Sequence, residues 1–114
     1  MNDLCKIELK ELKGLNLFSN NISDIKVLEK VKFDKLEILY LGNNKISDIN
    51  ILEKVNFKEL KQLGLSQNNI SDIKVLKKVK FELTDLNLAC NQFKGKKSSK
   101  IIDYLKERIE NLQY

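Results

Sequence analysis

The sequence predicts an α/β solenoid, a stack of short coils with a parallel sheet on one side and short helical segments on the other. Three observations predict it. The stretch "NNISDIKVLEKVKF" from Asn20 returns from Asn68 as "NNISDIKVLKKVKF", with one letter of fourteen changed. The pattern L-x-x-L-x-L-x-x-N-x-I occurs at a near-fixed period along the chain. Within each period a two-residue alternation of leucines gives way to apolar residues at every third position.

The first occurrence of the pattern is Leu12, Leu15, Leu17, Asn20, Ile22. Leu36, Leu39, Leu41, Asn44, Ile46 follow 24 residues later, and Leu60, Leu63, Leu65, Asn68, Ile70 after another 24. Leu83, Leu86, Leu88, Asn91, Phe93 close the series after 23. The alternating leucines read as a short strand with one apolar face. Ile25, Leu28 and Val31 recur every third residue, as do Ile49, Leu52, Val55 and Ile73, Leu76, Val79, which reads as a short α or 3-10 segment. Ser-Asp at 23–24, 47–48 and 71–72 stands where a helix start needs acceptors for its free N–H groups.

A single unit cannot fold alone. The few apolar side chains of one coil offset less free energy than the ordering of its backbone costs. Units must therefore stack, burying leucines between layers and pairing strands into a parallel sheet. The identical text follows, because each layer meets the same neighbours. Asn20, Asn44, Asn68 and Asn91 fit the same picture. At the turn after each strand, backbone groups face inward away from water, and an Asn amide offers both donors and an acceptor.

These residues resemble the leucine-rich-repeat proteins over nearly the whole chain. The "NxISDIxxL" unit is most similar to the intracellular type, which includes the leucine-rich regulatory subunit of protein phosphatase 1 and many protist repeat proteins. The resemblance implies a curved solenoid with the sheet on its concave side, and a role in binding other proteins. The unit is longer than that of the phosphatase regulator, so the architecture carries over and that partner does not.

One domain is expected over residues 1–114, with a half-repeat over 1–11 sheltering one end, repeats over 12–93 and a capping helix over 98–114. "LCKIEL" matches the second half of a unit, so the chain starts in mid-repeat, as a fragment of a longer array would. From Ser98, "SSKIIDYLKERIENLQY" places Ile101, Ile102, Leu105, Ile109 and Leu112 on one broad helical face, with Ser98 or Ser99 as N-cap. A partner-binding or membrane-surface helix is the competing reading. An uncovered first strand would pair edge to edge with another copy.

Composition excludes several chemistries. The chain has no histidine, which removes Ser-His and Cys-His catalysis and most zinc sites. No enzyme activity, cofactor or metal is expected. Cys5 and Cys90 are the only cysteines, and "MNDLCKIELK" lacks the apolar stretch of a signal peptide. Free thiols in a reducing, cytoplasmic setting are the expectation. No apolar run is long enough for a membrane span. The net charge of +5 comes from lysines spread at regular intervals, which reads as solubility before nucleic-acid binding. "KGKKSSK" at 94–100 lacks the first glycine of a phosphate loop, although its lysines could hold an anion. The "NIS" at Asn21 and Asn69 match a glycosylation sequon, but the repeat dictates those letters. Cys90 has no accompanying base, so it is not read as catalytic.

Function is expected at the variable strand positions, which point away from the core. In columns these are Gly14, Ile38, Gln62, Asp85; then Asn16, Tyr40, Gly64, Asn87; then Phe18, Gly42, Ser66, Ala89. Phe18, Ile38 and Tyr40 form the candidate contact patch, with Asn16, Gln62, Asp85 and Asn87 as a polar rim. The competing reading folds Phe18 over the rim as packing. Four strands give a sheet only about 15 Å wide, so a peptide or small element suits it better than a full protein face. The expected function is a non-catalytic protein-interaction module. The alternative is a nucleic-acid or anionic-surface binder through Lys94, Lys96, Lys97 and Lys100.

Overall fold

The structure, a computed structural model, describes residues 10–114. Cys5, and the half-repeat expected over 1–11 apart from its last two residues, lie outside the described residues. The apolar alternation forms strands β1 (Gly14–Asn16), β2 (Ile38–Tyr40), β3 (Gln62–Gly64) and β4 (Asp85–Asn87), and a fifth, β5 (Asn111–Gln113), follows. All pair in parallel in chain order, in one sheet. The register matches repeat to repeat: Leu15 lies opposite Leu39, Leu39 opposite Leu63, and Leu63 opposite Leu86. Every coil therefore presents the same leucine to the same layer. Leu39, Leu63 and Leu86 are buried, while the strand residues on either side of each point outward and are at least partly accessible.

The opposite side is built from 3-10 turns at Lys26–Glu29, Asn50–Glu53 and Lys74–Lys77. Each is closed by i to i+3 bonds, as from Leu28 N to Ile25 O (3.0 Å). The three-residue apolar spacing suits this tighter helix, which returns the chain in few residues. Of each Ser-Asp pair, the aspartate supplies the acceptor. Asp24, Asp48 and Asp72 accept from the backbone N–H of Lys26, Asn50 and Lys74 at 2.9–3.0 Å. The bond is an Asx turn set one residue ahead of the N-cap, where Ile25, Ile49 and Ile73 stand with no side-chain cap bond. Between the two sides runs a continuous apolar core. Phe33 and Phe57 pack across coils as a tilted pair with ring centroids 5.8 Å apart.

The asparagines lock one coil to the next. Asn44 Oδ1 accepts from the N–H of Asn20 and of Ile22, both in the preceding coil, at 2.9 Å. Its Nδ2 donates to the carbonyls of Leu17, Leu41 and Gly42. Asn68 repeats this with Ile46 N, Leu41 O, Leu65 O and Ser66 O, and Asn91 with Ile70 N, Leu65 O, Leu88 O and Ala89 O. Asn20 is exposed, and its amide donates to Phe18 O in its own turn. Among the described residues no buried side-chain nitrogen or oxygen lacks a partner. The residue before each asparagine is left-handed: φ is 62° at Ser19, 52° at Asn43, 54° at Gln67 and 60° at Cys90.

The C-terminal segment departs from the expectation of a helix over 98–114. Helix α1 spans Lys96–Lys106 and starts at Gly95, whose φ of 90° suits glycine. Neither Ser98 nor Ser99 is its cap; Ser98 is buried inside the first turn. The helix buries Ile101, Ile102 and Leu105 and packs against the third 3-10 turn. It is the last helical element on the outer side and covers the third 3-10 turn, in the place a fourth 3-10 turn would take. Ile109 and Leu112 do not continue the helix. Leu112 lies opposite Leu86 in β5, so both belong to the approach and centre of a fifth strand. Satisfying the exposed edge of β4 with three residues of strand outweighs extending an amphipathic helix into solvent. Among the described residues β5 pairs on one side only.

Two outcomes test this account. Asn68→Ala should lower unfolding free energy by more than about 2 kcal/mol, since it orphans several buried groups, and Asn20→Ala by under about 1. Urea titration of both variants measures the contrast. Gln67→Asn should raise stability by a few tenths to about 1 kcal/mol, because asparagine tolerates the left-handed region better than glutamine.

Candidate functional site

The concave sheet carries a depression of about 760 Å³. Its floor is made by outward residues of β2 to β5 and by Phe18, which follows β1. Phe18, Tyr40, Gln62, Asp85 and Asn87 of the expected contact set line it. Asn16 and Ile38 are on the same side of the sheet but outside this depression. Asn16 is occupied locally, its Oδ1 accepting from Phe18 N at 3.0 Å.

The two aromatic rings lie along the sheet rather than standing from it. A methyl group built on Gly42 would meet the Phe18 ring at 3.0 Å, and one built on Gly64 would meet Tyr40 Cδ1 at 3.1 Å. Each ring thus leans onto a glycine of the following coil, where no side chain blocks it. The Tyr40 hydroxyl donates to Gln62 Oε1 at 3.0 Å, fixing the ring's outer end. Phe18 is still 49% exposed and Tyr40 39%, so packing against glycine leaves one face of each open. Phe18 therefore packs toward the following coil rather than over the N-terminal rim, and stays half exposed.

At the other end stand polar groups. Asp85 Oδ2 accepts from Thr84 Oγ1 at 3.0 Å, and Asn87 Oδ1 accepts from Ala89 N at 3.0 Å. Glu110, Asn111 and Gln113 complete the lining. Reasoning from the sequence missed these three, along with Gly42, Gly64 and Ser66 as parts of the floor. The signal was present: Ile109-x-x-Leu112 is the opening of the repeat pattern, hidden because the amphipathic helix before it absorbs both residues. With β5 the sheet is about 19 Å across, one strand wider than expected.

The basic alternative maps elsewhere. Lys94, Lys96, Lys97 and Lys100 are exposed around the start of α1. None of them lines the concave depression. No acidic residue lies in the first turn of α1. The groups with shifted titration, Glu11, Lys35 and Lys106, do not line the depression. Lys35 Nζ donates to Glu11 Oε2 at 2.8 Å, which holds Glu11 below the usual carboxylate range and raises Lys35. The hydrogen bond and charge of Tyr114 raise Lys106. Cys90 is exposed. No helix among the described residues is long and apolar enough to cross a membrane.

The family model for leucine-rich repeats (two copies) matches residues 10–54. Solved structures that match include an internalin from Listeria monocytogenes. It is 23% identical, with a TM-score of 0.65, and the match covers 100% of this chain and 37% of the internalin. The chain thus spans little over a third of that protein's length. No curated protein matches. Residues 10–54 thus carry leucine-rich repeats, and the described chain has a leucine-rich-repeat-like solenoid fold.

A consequence for the floor can be checked directly. Gly64→Val should lift the Tyr40 ring from β3 and break its bond to Gln62, since the added carbon meets Tyr40 at 3.1 Å. Unchanged Tyr40 ring chemical shifts in the variant would contradict the described packing.

Proposed function

We propose that this protein is a non-catalytic interaction module that docks a protein or peptide on its concave face. Leucine-rich repeats generally mediate protein–protein contacts, which supplies the class. The observation that carries the choice of face is the depression floored by two half-open aromatic rings and edged by polar groups. Exposed aromatic groups surrounded by polar residues mark contact sites more often than scattered apolar residues do. A sheet about 19 Å across is small for a standard interface, so the partner is an extended segment or a small element. A reducing, intracellular setting belongs to the same proposal, supported by the resemblance of the repeat unit to the intracellular type.

The test is affinity capture with the wild-type protein beside a Phe18→Ala/Tyr40→Ala double variant and a Lys97→Glu/Lys100→Glu variant. The concave reading expects the aromatic variant to lose the captured protein and the lysine variant to keep it. Binding through the lysine cluster predicts the reverse, together with steep weakening as salt rises.

A further inference from the structure

The charge of the concave depression runs against that of the chain. The protein carries a net +5, yet the depression contains Asp85 and Glu110 and neither lysine nor arginine. Among the described residues neither carboxylate forms an ion pair, and the only side-chain bond at Asp85 comes from the neutral Thr84. The lysines of the strand rows, Lys13 and Lys61, sit at the strand starts outside the depression. A partner entering here leaves a positively charged surface for a locally negative one.

The aromatic floor adjoins these carboxylates. Tyr40 covers Gly64 of β3, and its hydroxyl reaches Gln62, the residue paired with Asp85 on β4. Glu110 immediately precedes β5, the next strand. A strand spacing of about 4.8 Å separates these positions, so an aromatic face and two carboxylates converge on one place. An aromatic face and carboxylates both attract a guanidinium or ammonium group. Phe18, lying over Gly42, offers an apolar face about two strand spacings across the sheet from Asp85 and about four residues further along the strands, roughly 16 Å in all. An extended chain crossing the strands advances about 3.3 Å per residue with alternate side chains facing down. Two down-facing side chains roughly 16 Å apart are therefore about four to six residues apart in sequence.

We propose that the concave face takes an extended peptide with an arginine or lysine held between the Tyr40 ring and the Asp85 and Glu110 carboxylates. The same peptide places an apolar side chain, about four to six residues away, on Phe18. This rests on the reading of the concave face as the docking surface and adds to it the chemistry and polarity of the occupant.

The experiment is a positional-scanning library of nonapeptides, acetylated and amidated to remove terminal charge, passed over the immobilised full chain at physiological salt. The expected selection is arginine or lysine at one position and an apolar residue about four to six positions away. A fluorescein-labelled peptide of the selected sequence is then titrated by anisotropy. Asp85→Asn/Glu110→Gln, which preserves shape, should weaken it about three- to tenfold. Replacing the peptide's basic residue by citrulline or norleucine should weaken binding to the wild type by a similar factor and have little further effect in that variant. Selection without a basic preference, while Phe18→Ala/Tyr40→Ala still abolishes retention, overturns the proposed occupant and leaves the concave site standing. Selection of acidic peptides that depends on Lys97 and Lys100 overturns both. So does retention of no peptide by folded wild-type protein, or retention that neither set of concave substitutions changes.

Discussion

The backbone groups that turn inward after each strand set the terms for this molecule. They lie too deep for water and too far from the sheet ladder to be paired by it. A single asparagine per coil satisfies them, and it does so by reaching into the coil before. Asn44 serves Asn20, Ile22 and Leu17, and Asn68 serves Ile46 and Leu41. The arrangement has a direction, since each coil depends on the asparagine of its successor. Leucine packing makes stacking favourable, but it is the asparagine that fixes which coil sits on which and at what register.

Much of this was legible in the letters. The leucine columns located β1 to β4 and their outward residues, because a strand's two-residue period leaves no choice once the core side is known. The 3-10 turns were legible from apolar residues at every third position. The tail was not. Ile101, Ile102, Leu105, Ile109 and Leu112 satisfy a helical face, and Ile109 and Leu112 equally satisfy the start of another repeat. Local pattern could not decide between them. The unpaired edge of β4 did, and that edge exists only once the coils have stacked.

The candidate site was legible in part for the same reason. Column arithmetic placed Tyr40, Gln62, Asp85 and Asn87 on the open side together. It did not show that Tyr40 and Phe18 lie down, because that depends on what the next coil lacks. The two glycines looked like empty positions in a list of candidates. In the fold they are the space the rings occupy, and β5 brings in Glu110, Asn111 and Gln113 from a segment whose strand was hidden.

The leaning of the rings means that no single position on this face defines the shape it presents. Whether an aromatic side chain is a flat tile or a raised peg is decided one layer away, by the presence or absence of a carbon on the adjoining strand. Mutational drift at Gly42 or Gly64 can therefore re-sculpt the surface while the aromatic residues themselves stay unchanged, and a comparison of such proteins by matching single positions would overlook it.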